Sequence, residues 1–197
     1  MNKIKRLLAQ WQLQRLSTKS ASADVSFPGD LMKPQHVLVC LPSRLRELTL
    51  VKQLLPKITA LFKPADITLL ALPGVKVADM YPRKGFQILN PSTDQLTWAG
   101  LPKSSYLDSL QQYKYDTVLD LNLEKSFFTS AILLSFPKAV RIGRGNHLGV
   151  PFYNLEIKTR YLRDERNIYR SLLETLGTIT NRPNRGPSGE QPNTEAV

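Results

Sequence analysis

The chain has 197 residues, 42% of them hydrophobic, enough for one domain with its own core. A net charge of +11 favours an anionic partner, whether a phosphate-bearing small molecule, nucleic acid or an anionic membrane surface, without choosing among them. The single cysteine, Cys40, excludes a disulfide framework and a cysteine-based metal site and fits a reducing compartment, and no apolar run reaches the roughly 18 residues of a membrane span.

Met1–Leu16 reads as a basic amphipathic helix. Ile4, Leu7, Leu8 and Trp11 fall on one face at helical spacing, while Leu13 and Leu16 fall off it. Lys3, Lys5, Arg6, Arg15 and Lys19 all precede the first acidic residue, Asp24. An apolar stripe with Trp11 and flanking Lys3, Lys5 and Arg6 is what an interfacial membrane helix needs; the same stripe could instead dock on the domain's own surface. No uninterrupted apolar core or small-residue cleavage site follows, so a signal peptide is not expected and a cytoplasmic protein, peripheral on the inner membrane if the helix binds lipid, is. Residues 17–35 are polar, with Pro28, Gly29 and Pro34, and read as a linker.

His36–Leu41 is a buried strand by its β-branched and apolar content. The helix after Pro42 carries Leu48, Val51, Leu55, Ile58 and Phe62 on one stripe, with Ser43 as N-cap and Glu47 one turn in. Ile67–Leu72 is the next strand, Val75–Tyr81 a short helix and Phe86–Leu89 a third strand. Asn90–Pro102 is a loop that Trp98 packs down, and Lys103–Tyr113 is a helix. Thr117–Leu121 is the central strand. Phe127–Phe136 is apolar on nearly every side and so, as a helix, must be buried; Pro137 stops it. Ala139–Ile142 is a strand running into a basic, glycine-punctuated loop, Arg141–Gly145, with Asn146 and His147 beyond. Phe152–Ile157 is an edge strand, and Asp164–Leu176 a helix with Gly177 at C′. From Thr178 the chain is proline-rich and polar, and disorder is expected over 178–197.

Strands alternating with helices predict an α/β fold, an open, mostly parallel Rossmann-like sheet with helices on both faces, over residues 36–177. Ligands in such sheets bind beyond the carboxyl ends of the strands. Pro42–Glu47 and Leu121–Lys125 are therefore the candidate segments, with Asp120 capping the turn after its strand or lining the pocket. Asn122, Glu124 and Lys125 are expected at the pocket rim, and Arg141, Arg144, Asn146 and His147 on a loop able to hold a phosphate or an acidic sugar. His36 lacks a second ligand nearby, so no metal site is expected, nor any cofactor, and Cys40 reads as an inert core thiol. The scattered tyrosines make no RNA-binding platform, which leaves charge as the only argument for nucleic acid.

Three pieces carry a resemblance. VLVCLPSRLRELTLVKQLLPKI supplies a strand, a turn and a helix. YDTVLDLNLEKSFFTSAILLS supplies a strand and an apolar helix. AVRIGRG is followed by FYNLEI and by RNIYRSLLETLG. In this order they resemble the N-terminal, acceptor-side domain of the family 9 glycosyltransferases, the bacterial ADP-heptose–lipopolysaccharide heptosyltransferases, from His36 to about Gly177. The resemblance implies one half of a two-domain glycosyltransferase-B architecture. It makes Glu47 the candidate base for the acceptor hydroxyl; Ser43, Arg44, Arg46, Asn122, Lys125, Arg141 and Arg144 are candidate substrate contacts from their places after the strands and on the basic loop. Where the family has Gly-Asp, this chain has Arg46-Glu47; Glu47 can instead be a carboxylate favoured by the helix dipole or paired with Arg44 or Arg46, and an ion pair would depress it and make it a poor base. Leu123 replaces a residue that is small in many relatives. No glycine-rich phosphate loop is found, and the family's nucleotide-sugar domain would follow Gly177, where only a polar tail does.

The expected function is that of a heptosyltransferase-like single-domain protein, non-catalytic alone, acting in lipopolysaccharide or glycolipid assembly at the cytoplasmic membrane face. Its expected partners are an anionic glycolipid or membrane surface and a protein supplying the donor domain. The alternatives are a binding or scaffold module for another protein and a basic nucleic-acid-binding domain.

Overall fold

The computed structural model describes residues 3–19, 34–77, 79–82, 84–145, 148 and 151–180. Six strands form one sheet in the order β3-β2-β1-β4-β5-β6, and every neighbouring pair is parallel. They are β1 His36–Cys40, β2 Asp66–Leu70, β3 Gln87–Leu89, β4 Thr117–Asp120, β5 Val140–Arg144 and β6 Leu155–Ile157. The helices are α1 Lys3–Lys19, α2 Leu45–Phe62, α3 Ser104–Gln111, α4 Phe127–Ser135 and α5 Glu165–Thr180. The expected parallel α/β architecture is thus the observed one.

The continuous apolar strands are buried on both faces, as parallel strands must be. Val37, Val39 and Leu41 point to one side with Leu119, Val140 and Ile142, under α2 and α5. The alternate residues, Leu38, Cys40 and Val118, point to the other side, under α3 and α4. All five stripe residues of α2 are buried. The all-round burial of α4 has a specific origin. Its inner face meets the sheet through Phe128, Ile132 and Leu133. Its outer residues Ala131 and Leu134 are covered by Ala9 and Leu13 of α1 and by Ala99 and Leu101 of the preceding loop.

Several local expectations are corrected. The residue capping α2 is Arg44, in extended backbone and without a side-chain cap bond, rather than Ser43. Residues 75–77 are irregular and 79–81 form a turn, not a helix, pinned by buried Val77 and Tyr81, whose hydroxyl donates to the Leu48 carbonyl at 2.8 Å. Trp98 does not pack its loop down; it is 63% exposed, with the Lys5 ammonium 5.0 Å from its ring, and buried Ala99 and Leu101 anchor the loop instead. Gly177 is not a C′ residue, because α5 runs on to Thr180. The Thr178 and Thr180 hydroxyls donate to carbonyls one turn back, at 3.0 and 3.1 Å, and Ile179 packs on the core. The expected linker and disordered tail fall mostly on 20–33 and 181–197, outside the described residues.

Candidate functional site

The sheet reverses its direction of growth between β1 and β4, which pair through Cys40 and Asp120 at their carboxyl ends. Connections leaving adjacent strands to opposite faces open a crevice at this point. The chain after β1 supplies Arg44 and Glu47, and the loop after β4 supplies Leu123 and Glu124. Arg144 at the end of β5 and the segment after β6, with Arg163 and Glu165, close the far wall around about 310 Å³. Pro42–Glu47 and Leu121–Lys125 therefore lie on one edge of the molecule.

Glu47 is buried, 3% exposed, at the base of α2. Helical spacing puts it on the same face as Arg44, three residues earlier, whose Nη1 lies 3.8 Å from Glu47 Oε1. Arg44 also forms an ion pair with Glu124 and so bridges the crevice mouth. Arg46 does not pair with Glu47: its exposed guanidinium lies 3.3 Å from Glu165. The expectation of a depressed Glu47 is therefore overturned. Burial pushes its carboxyl above the ordinary value; Arg44 opposes the shift, and Glu124 and Glu165 add to it.

Beneath the crevice floor lies a closed polar network. Tyr153 donates its hydroxyl to Asp120 Oδ2 at 2.6 Å, and the backbone N–H and side-chain amide of Asn122 donate to Asp120 Oδ1 at 2.9 and 2.7 Å. Asp120 thus caps the turn that follows its strand. Asn122 is buried with it, not at the rim. Tyr169 of α5 donates to the Leu121 carbonyl at 2.9 Å and ties the same turn to the opposite layer. Buried Cys40 sits beside this network, and burial first, then the Asp120 carboxylate, pushes its thiol up.

The remaining candidates scatter. Arg141 is not on a loop: it is fully buried within β5, on the face opposite Val140 and Ile142, with Nη1 3.4 Å from the Leu133 carbonyl. Burial lowers its pKa. Arg144 lines the crevice and donates from Nη2 to the Tyr161 carbonyl at 3.2 Å. Ser43 and Lys125 are exposed, and Lys125 turns toward the Phe127 ring, away from Glu47. Asn146 and His147 lie outside the described residues. Lys3, Lys5, Arg6 and Trp11 all fall on α1, apart from the crevice lining. Among the described residues no group of three or more His, Cys, Asp or Glu side chains is placed to hold a metal ion. Arg163 and Glu165 were missed because their place depends on β6 joining the sheet beside β5, and nothing local to them announces it.

An open parallel sheet with helices on both faces and a crevice at its switch point defines a single Rossmann-like α/β domain. No protein-family model matches the chain, and no curated protein sequence does. Among solved structures it is similar to E. coli heptosyltransferase WaaC with ADP, with a TM-score of 0.54 and 14% sequence identity. The match covers 72% of this chain and 46% of that one, so the chain spans a little under half of WaaC's length. At that identity the likeness is one of fold.

Proposed function

We propose that this chain is an acceptor-side, family 9 heptosyltransferase-like unit that binds an acidic or phosphorylated sugar of a glycolipid in the crevice and does not transfer a sugar by itself. The observation that carries this reading is the convergence of Arg44, Glu47 and Arg144 at the switch point, where ligands of such sheets bind. Arg144 bonds a backbone carbonyl, not a carboxylate, in the contacts above, which leaves its charge available to an anion. Glu47, with its affinity for a proton raised by burial, is the group placed to accept one from an acceptor hydroxyl. Transfer would require a nucleotide-sugar site in a second unit, and the cytoplasmic face of the membrane is where the lipid-linked acceptor would be met.

The test is titration of the isotope-labelled chain with Kdo-containing lipid A in micelles, followed by amide chemical shifts. Shifts confined to 43–47, 121–125 and 144, abolished in Arg44→Ala/Arg144→Ala, are expected. Shifts elsewhere, or none, overturn the crevice as the binding site. Heptose transfer from ADP-heptose by the purified chain overturns the non-catalytic part alone.

A further inference from the structure

The helix that covers α4 leaves its larger apolar residues on the outside. Ala9 and Leu13, one turn apart, make the contact with α4 and are 0% and 4% exposed. Ile4, Leu7, Leu8 and Trp11 form a second stripe, and at 3.6 residues per turn Trp11 lies about 200° around the helix from Ala9. These residues are 63%, 66%, 38% and 50% exposed, so the stripe of the sequence pattern faces away from the body. Of the nine exposed large apolar side chains among the described residues, five lie on α1: these four and Leu16. The patch continues past the helix. A cleft of about 540 Å³ leads from Leu7 and Trp11 to Phe127 and Phe152, with Lys125 at its edge.

The charge on this helix has one sign. Residues 3–19 contain Lys3, Lys5, Arg6, Arg15 and Lys19 and no Asp or Glu. The Arg15 guanidinium lies 4.1 Å from the Trp11 ring centroid, so cation and aromatic are presented together. The domain itself is not the missing occupant, because it already holds the other face of the helix. A protein groove would cover the apolar stripe but would give no reason for charges that are all basic. A bilayer surface satisfies both: tryptophan and leucine enter the headgroup–acyl boundary while Lys and Arg meet anionic lipid.

We infer that the outward face of α1, built on Ile4, Leu7 and Trp11 with Lys3 and Arg15 beside them, docks reversibly and in the interface plane onto an anionic lipid bilayer. This inference does not rest on the crevice or on its sugar.

The test uses the full chain carrying Trp98→Phe, which leaves Trp11 as the reporter of the chain's two tryptophans. Vesicles of phosphatidylcholine alone, or with one quarter phosphatidylglycerol, are added. With the anionic vesicles, Trp11 emission shifts to the blue and the protein co-sediments; with the neutral ones it binds roughly tenfold or more weakly. Leu7→Glu, at an exposed position that cannot unfold the core, abolishes co-sedimentation, and Lys3→Glu/Arg15→Glu weakens it by at least roughly tenfold. Leu7→Trp, which keeps the face apolar, restores or tightens it. Equal binding by Leu7→Glu, equal binding to neutral vesicles, or no binding at all overturns the inference. So does a dimer in solution that Leu7→Glu dissociates while vesicles are ignored, since the face would then belong to a second copy.

Discussion

Replacing Gly143 by alanine tests whether Tyr153 is what holds the floor of the crevice. Gly143 lies in β5, and a Cβ added to it would meet the Tyr153 ring at 2.2, 2.3 and 2.6 Å. Ordinary contact begins near 3.4 Å, so the ring must retreat by about 1.2 Å. It has nowhere to go, being 1% exposed, and its hydroxyl is held at 2.6 Å by Asp120. Overpacking of this kind costs about 1–3 kcal/mol, and loss of a hydrogen bond to a carboxylate about 1.5–3 kcal/mol. Together that is about 3–6 kcal/mol, a large share of the 5–15 kcal/mol typical of a domain. Urea unfolding followed by circular dichroism measures it. In a Tyr153→Ala background the clash is absent, and the same Gly143→Ala change should cost less than about 1 kcal/mol. Equal costs in the two backgrounds, or a single variant within about 0.5 kcal/mol of the wild type, would refute the reasoning.

The ordinary value for Glu47 is 4.5, and burial raises it in the folded chain. The folded state therefore binds this proton more tightly than the unfolded one, and the resulting stability is full below about pH 4.5 and lost as pH rises through the folded value. The stability of Glu47→Gln relative to wild type should accordingly climb with pH across that window in urea titrations; a difference independent of pH would show that Glu47 is not perturbed. Arg44→Ala removes the cation that holds the shift down, so the Glu47 carboxyl carbon should titrate at higher pH by NMR, while the loss of its largely exposed pair with Glu124 costs no more than about 1 kcal/mol. Leu13→Ala should speed amide exchange throughout α1 and leave β1 and β4 protected, because Leu13 joins the cover over α4 and not the sheet; slowed or unchanged exchange in α1 would place its anchorage elsewhere.

The sheet could be read from the chain because its strands are short runs of Val, Ile and Leu set between helices with one clear stripe. Pairwise geometry could not. Arg141 beside Gly143 and Gly145 looks like a loop cation, yet strand alternation sends Val140 and Ile142 to one face and carries Arg141 into the other. Arg46 next to Glu47 looks like its partner, but neighbours in a helix point about 100° apart, and the residue that shares a face with Glu47 is Arg44. The direction of the Glu47 shift is set by neither arginine but by burial, which outweighs the opposing effect of Arg44. Rim and floor of the crevice differ for a related reason: Asn122 and Glu124 are two residues apart, but one turns inward to Asp120 and the other outward to Arg44.

A conflict between local pattern and global packing points to the most informative part of the molecule. The apolar circumference of α4 requires a cover beyond the sheet, and the chain provides one in α1. A helix selected only for that task would turn its largest apolar residues inward, where each would add to burial. Instead a small residue, Ala9, and a single leucine make the contact, and Leu7 and Trp11 are held in solvent beside cations. Where local choices agree with the fold they specify it, and where they oppose it the sequence is answering to something besides the fold. On α1 that opposition is confined to one face. The face is apolar at its centre and every charge on the helix is basic, and a bilayer surface satisfies both requirements at once.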